Sequence, residues 1–148
     1  MGRLPKRTKT IKIGVLDGQG GGIGSAVIKK LREEFGEDLE VIALGTNSIA
    51  TAQMMKARAN KGASGENAIV QTAPKMDLLI GTIGIVLAQA MMGEVTPAVA
   101  SAVSESPAVK LLIPLSQERV EVVGFDPEPL PHLVDKVISR VKELLADC

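Results

Sequence analysis

Aromatic residues, cysteine and histidine are nearly missing from this chain. Of its 148 residues two are phenylalanine, none is tryptophan or tyrosine, one is histidine and one is cysteine. The lone Cys148 excludes an internal disulfide and any cysteine-cluster metal site, which fits a reducing cytoplasm. Without Trp or Tyr, base stacking on aromatic rings is all but closed as a binding mode. A single His132 and a terminal thiol give no credible pair of nucleophile and base. Charge of one sign is also lacking: 17 Lys and Arg balance 17 Asp and Glu, so no net field draws in nucleic acid, a membrane or another polyanion. No apolar run reaches the length of a membrane span, and Met1 to Lys6 holds no apolar signal core. Lys6 also breaks the myristoylation pattern. Residues 1–10, with Arg3, Lys6, Arg7 and Lys9, read as a basic, solvated leader.

What is present is aliphatic and periodic. The chain is 45% hydrophobic, so the core must come from Ile, Val, Leu, Ala and Met. Its length suits one domain, residues 11–148, and is too short for a nucleotide domain plus a substrate domain. Apolar runs alternate with helical patterns, the signature of βαβ units. The spacing predicts a first strand over Ile11–Leu16 and a helix from Ile23 to Phe35 stopped by Gly36. A second strand spans Leu39–Leu44, followed by a helix capped by Asn47 or Ser48 that runs to about Asn60 and stops at Lys61-Gly62. Short strands are expected at Ala68–Gln71 and Leu78–Ile80. Ile85–Met92 is apolar except for Gln89 and reads as a helix buried in the core or against a second protomer. Thr96 and Pro97 open the next helix, which runs to about Ser104. Lys110–Leu115 and Val120–Phe125, separated by residues 116–119, read as an antiparallel hairpin, and a final helix presents Leu133, Val137, Val141 and Leu144 inward. The expected architecture is a three-layer, Rossmann-like α/β fold whose mostly parallel sheet has about six strands and a C-terminal antiparallel hairpin.

The richest local signal is Asp17-Gly18-Gln19-Gly20-Gly21-Gly22-Ile23-Gly24, directly after the first strand. Glycines there let the chain turn sharply and let backbone N–H groups approach an anion, with a helix N-terminus behind them. Gly18, Gly22 and Gly24 fit G-x-x-x-G-x-G, which resembles the cofactor loop of the short-chain dehydrogenases. That resemblance covers the loop alone, since their tyrosine and lysine pair cannot exist in a chain without tyrosine.

Asp17 opposes a phosphate unless it is turned away, protonated or bridged by a cation. It either shapes the loop by accepting the loop's own N–H groups or binds a ribose hydroxyl or Mg²⁺. About twenty residues after such a loop a carboxylate ordinarily binds the adenosine ribose. Thr46, Asn47 and Ser48 stand there instead, which permits NADP as well as NAD; helix capping explains Asn47 and Ser48 equally. Gly81 and Gly84 flank the end of the fourth strand, where backbone could pass close to a ligand, though packing also accounts for them. Glu94 is the best-placed candidate acid and Thr96 lies in the same loop, both expected on the carboxyl side of the sheet, though a solvated loop carboxylate near a helix N-terminus also accounts for Glu94.

Four segments together carry a closer likeness: the glycine loop; Ala43-Leu44-Gly45-Thr46-Asn47-Ser48-Ile49-Ala50-Thr51; Gly65-Glu66-Asn67-Ala68; and Gly93-Glu94-Val95-Thr96-Pro97. Over about Ile11 to Gly124 the chain is similar to a family of small bacterial proteins catalogued as a domain of unknown function, family 3842. The resemblance implies a compact Rossmann-like protein of bacterial, cytoplasmic origin and supplies no activity. Three functions are therefore open: a nucleotide-binding protein, NAD or NADP first, in a sensor or accessory role; an enzyme completed across a homodimer through Asp17, Thr46, Asn47, Glu94 or Thr96; or a ligand-free interaction module. Neither nucleic acid nor membrane is an expected partner, and a homodimer is.

Overall fold

Strands buried on both faces must be apolar at successive positions, and the three central strands here are. A computed structural model describes residues 10–115 and 118–147. In chain order it contains β1 (Ile11–Asp17), α1 (Gly22–Phe35), β2 (Leu39–Gly45), α2 (Ser48–Lys56), β3 (Lys61–Ser64), α3 (Glu66–Thr72), β4 (Leu78–Thr82), α4 (Pro97–Glu105), β5 (Val109–Ile113) and α5 (Leu130–Ala146). Short 3₁₀ turns occur at Ala73–Lys75 and Ile83–Val86. The strands pair in the order β3-β2-β1-β4-β5, every pair parallel. This is the strand order of a doubly wound Rossmann-type sheet.

Side chains alternate across a strand, so each of the three central strands β1, β2 and β4 feeds two cores. Ile11, Ile13, Val15, Val41, Ala43, Leu78 and Ile80 meet Val27, Ile28 and Leu31 of α1, Met54 of α2 and the inner face of α5. Leu16, Ile42, Leu44 and Leu79 meet Ile69 of α3, Val99 and Val103 of α4, and Ile85. The helix at the C-terminus buries Leu133, Val137, Val141 and Leu144, the stripe its periodicity predicts. Gly36 ends α1 at φ 57, and beside it the buried Arg32 donates to the carbonyls of Arg58, Gly36 and Leu39 and to Asn60 Oδ1. One guanidinium thus ties α1, β2 and the end of α2 together.

Four expectations need correction. Among the described residues the sheet has five parallel strands and no hairpin closes it: β5 pairs parallel with β4, and the Val120–Phe125 segment is irregular. Val120 and Val122 have strand spacing but reach no free edge, and with Val123 they are exposed; residues 116 and 117 of the expected turn lie outside the described residues. Ala68–Gln71 belongs to α3, and the third strand is Lys61–Ser64, an edge strand exposed enough to carry no apolar alternation. Helix α2 stops at Lys56 because Arg58 turns left-handed (φ 79) and Asn60 pairs with β2, its N–H donating to the Val41 carbonyl and its Oδ1 accepting from the Val41 N–H. Ile85–Met92 is no helix: after the 3₁₀ turn, Gln89, Met91 and Met92 all adopt positive φ, and the segment folds back so that Ile85 and Ala90 join this chain's own second core. The basic leader, residues 1–9, and Cys148 also lie outside the described residues. Among the described residues no helix is long and apolar enough to cross a membrane.

Candidate functional site

In an open α/β sheet the crevice forms where neighbouring strands send their connections to opposite faces. Here that point lies between β1, which continues into α1 on one face, and β4, whose connection passes to the other. A cleft of about 330 Å³ opens there. Asp17, Gln19, Thr82, Gly84 and Glu118 give its polar lining and Ile23, Ala90, Met91 and Leu115 its apolar lining. No lysine or arginine is among these residues.

Asp17, the last residue of β1, points back under the loop. Its Oδ1 accepts the Gly18 N–H at 2.8 Å and its Oδ2 the Gly24 N–H at 2.7 Å. Gly24 is the third residue of α1, so Asp17 satisfies a donor at the helix N-terminus that no side chain at the cap position Gly21 could reach. This is the loop-shaping role. Burial pushes the carboxyl above its ordinary value, against the pull of the Gly24, Gly18 and Ile23 N–H groups, and the charge of Glu94 adds to the rise.

The glycines divide into two kinds. A Cβ on Gly18 would stand 2.5 Å from Thr46 Oγ1 and 2.6 Å from Met91 Sδ. Gly21 has φ 73, and a Cβ there would meet the Ala50 carbonyl oxygen at 2.7 Å. Gly24 would press on Met54 Sδ at 2.5 Å. By contrast a Cβ on Gly20 or Gly22 would meet nothing within 4 Å among the described residues, and neither residue needs a left-handed backbone. Both are exposed, and their N–H groups meet no acceptor among the described residues. Gln19, between Gly18 and Gly20, is itself held at φ 50.

Two further loops lock this one in place. Glu94, in the left-handed turn after β4, accepts three hydrogen bonds on Oε1: from the Gln19 N–H at 2.9 Å, Thr46 Oγ1 at 2.6 Å and Asn47 Nδ2 at 2.9 Å. Burial works against its charge, but those three donors outweigh it and hold the carboxyl below its ordinary value. Asn47 also caps α2 through Oδ1 to the Ala50 N–H and donates to the Gln19 carbonyl. Ser48 is the exposed first residue of α2. The structure thus brings Asp17, Gly18, Gln19, Thr46, Asn47 and Glu94 together, with Thr82 and Gly84 across the cleft.

Other candidates fall outside. Gly81 is a packing glycine, its Cβ position 2.8 Å from the Leu16 carbonyl oxygen and 2.9 Å from Ile85. Thr96 caps α4 and donates to Glu66. His132 is an exposed residue of α5. Among the described residues no three His, Cys, Asp or Glu side chains cluster as a metal cage. Sequence reasoning missed Thr82, Met91, Leu115 and Glu118; the available signal was that Thr82 ends β4 and that the others lie in the segments following β4 and β5, which no motif marks.

A family model described as "Domain of unknown function (DUF3842)" matches residues 12–146, from the second residue of β1 through the last of α5. The chain belongs to that family. The match takes in the glycine loop, Glu94 and the whole cleft, so the site is part of the family's domain and not an appendage to it. No curated protein matches the chain.

Proposed function

We propose that this protein binds a nucleotide at the carboxyl edge of the sheet, its phosphate on the Gly20–Gly22 rim and the remainder along the crevice. The observation that carries this reading is the pair Gly20 and Gly22. Fold and packing account for Gly18, Gly21 and Gly24, whereas the two outer glycines have open space above them and exposed N–H donors beside the positive end of α1. NAD or NADP is the nucleotide class the loop favours. Charge narrows where the phosphate sits: with Asp17 in the cleft lining and no lysine or arginine among the described lining residues, it belongs on the rim, and a neutral or donor-bearing part of the ligand faces the cleft.

The role we assign is sensory or accessory, in a cytoplasmic protein. Thr46, Asn47 and Thr96 are committed to capping and to holding loops, which leaves few groups to do chemistry. We retain a homodimer as part of the proposal, to be read by sedimentation. Differential scanning calorimetry of the full chain with NAD, NADP, ATP and AMP tests the reading. A nucleotide at about a hundred times its Kd stabilises the fold by about 2.7 kcal/mol. No shift with any of them at millimolar concentration rejects nucleotide binding in favour of an interaction module.

A further inference from the structure

The end of β2 lacks the ribose-binding carboxylate that this strand order ordinarily places there, and the fold brings one in from elsewhere. Thr46, the first residue past β2, occupies the acid's place about twenty residues beyond the glycine loop. Its hydroxyl donates to Glu94 Oε1 at 2.6 Å, across 48 positions of sequence, and Asn47 and the Gln19 N–H converge on the same oxygen. We infer that Glu94 is the specificity residue of the nucleotide site, accepting the ribose hydroxyls of an NAD-type ligand and rejecting a 2′-phosphate. The inference rests on the nucleotide reading above and goes beyond it by naming the form of the ligand.

Three details support the assignment. With Oε1 fixed by three donors from two loops, the carboxylate is oriented before any ligand arrives, and Oε2 takes no hydrogen bond from the described residues. The carboxylate also lies against the first glycine of the loop: a Cβ on Gly18 would come within 2.9 Å of Glu94 Oε1, so Gly18 leaves the room this arrangement needs. Finally, no lysine or arginine stands between Gly45 and Ala50, and none is among the described residues that line the cleft, so these segments supply no cation to offset a carboxylate facing a phosphate. A carboxylate accepts two ribose hydroxyls readily, whereas a dianionic 2′-phosphate at hydrogen-bond range from it is repelled.

Titration calorimetry with NAD and with NADP on wild-type and Glu94→Gln protein tests this. Wild type is expected to bind NAD at least tenfold more tightly than NADP. Glu94→Gln should weaken NAD about tenfold and leave NADP unchanged or improved, bringing the two within about threefold. The wild-type ratio is informative even if the variant folds poorly. Equal or tighter NADP binding by wild type overturns the inference while leaving nucleotide binding intact. Equal weakening of both by Glu94→Gln reduces Glu94 to a loop brace, and equal tightening of both marks it as an obstruction; either result overturns the specificity role. If neither dinucleotide binds the folded protein, the nucleotide reading falls and this inference with it.

Discussion

Five glycines share seven positions of one loop, and they do two different jobs. Gly18, Gly21 and Gly24 are buried and hemmed in by Thr46, Met91, Ala50 and Met54, while Gly20 and Gly22 are exposed and a Cβ on either would meet nothing within 4 Å among the described residues. A glycine-rich motif read as a string treats all five alike. In the folded loop the inner three let β1, α1 and α2 approach each other, and only the outer two are free to serve something outside the chain.

The largest effect should come from forcing a side chain onto an inner position. Gly21→Val places a β-branched residue at φ 73 with its Cβ 2.7 Å from a backbone oxygen that cannot step aside. The left-handed backbone costs about 1–2 kcal/mol and the overlap about 1–3 kcal/mol more. Urea denaturation should show a loss of about 3 kcal/mol; a loss under about 1 kcal/mol would mean that α1 and α2 are not held in the close approach described here. Asp17→Ala should follow at about 2 kcal/mol, because it strips the Gly18 and Gly24 N–H groups of their acceptor in a buried setting. Relief of the buried charge offsets part of that loss.

Much of this was legible in the chain, and the failures share a cause. Buried parallel strands announce themselves through unbroken aliphatic runs, so β1, β2 and β4 could be read directly, as could α1, α4 and α5 from their period and their Gly36 or Thr96-Pro97 ends. Edges were not legible: β3 is exposed and polar, and Val120–Phe125 has strand spacing without a partner. Nor was the turn after β4, where Gln89, Met91 and Met92 adopt a left-handed backbone that their types do not favour. That turn is what delivers Glu94 to Thr46. A pairing across 48 positions leaves no trace in local pattern, so the sequence marked Glu94 as a candidate acid without showing what it would face.

The two carboxylates that brace the loop differ as well, through opposite pH dependence. Asp17 has a folded value raised above its ordinary 3.8, so between those values the native state holds more protons than the unfolded chain, and its contribution to stability falls as pH rises through that window. Glu94 has a folded value lowered below its ordinary 4.5, so its contribution is present above 4.5 and is lost as pH falls through the folded value. Denaturation free energies across the acid range should therefore change in opposite senses: Asp17→Asn removes a term that declines with rising pH, and Glu94→Gln removes one that grows. Parallel pH slopes in the two variants would show that the inner and outer braces of the loop share one environment.

The smallest change in stability should come with the most specific change in function. Gly22 is the first residue of α1, exposed, with room for a side chain, and replacing it with valine removes a flexible residue from a helical position. Stability should stay within about 0.5 kcal/mol of wild type. Yet the valine methyl groups would stand where a phosphate must approach the N–H groups of the rim, so the nucleotide-dependent rise in melting temperature should vanish while the melting temperature without nucleotide hardly moves. Gly20→Val should behave in the same way. If both variants kept full ligand-induced stabilisation, the rim would not be the phosphate site and the openness of Gly20 and Gly22 would have no bearing on binding. If both lost stability as Gly21→Val does, the division between inner and outer glycines would itself be mistaken, because the space above the rim would then be filled by the protein's own chain.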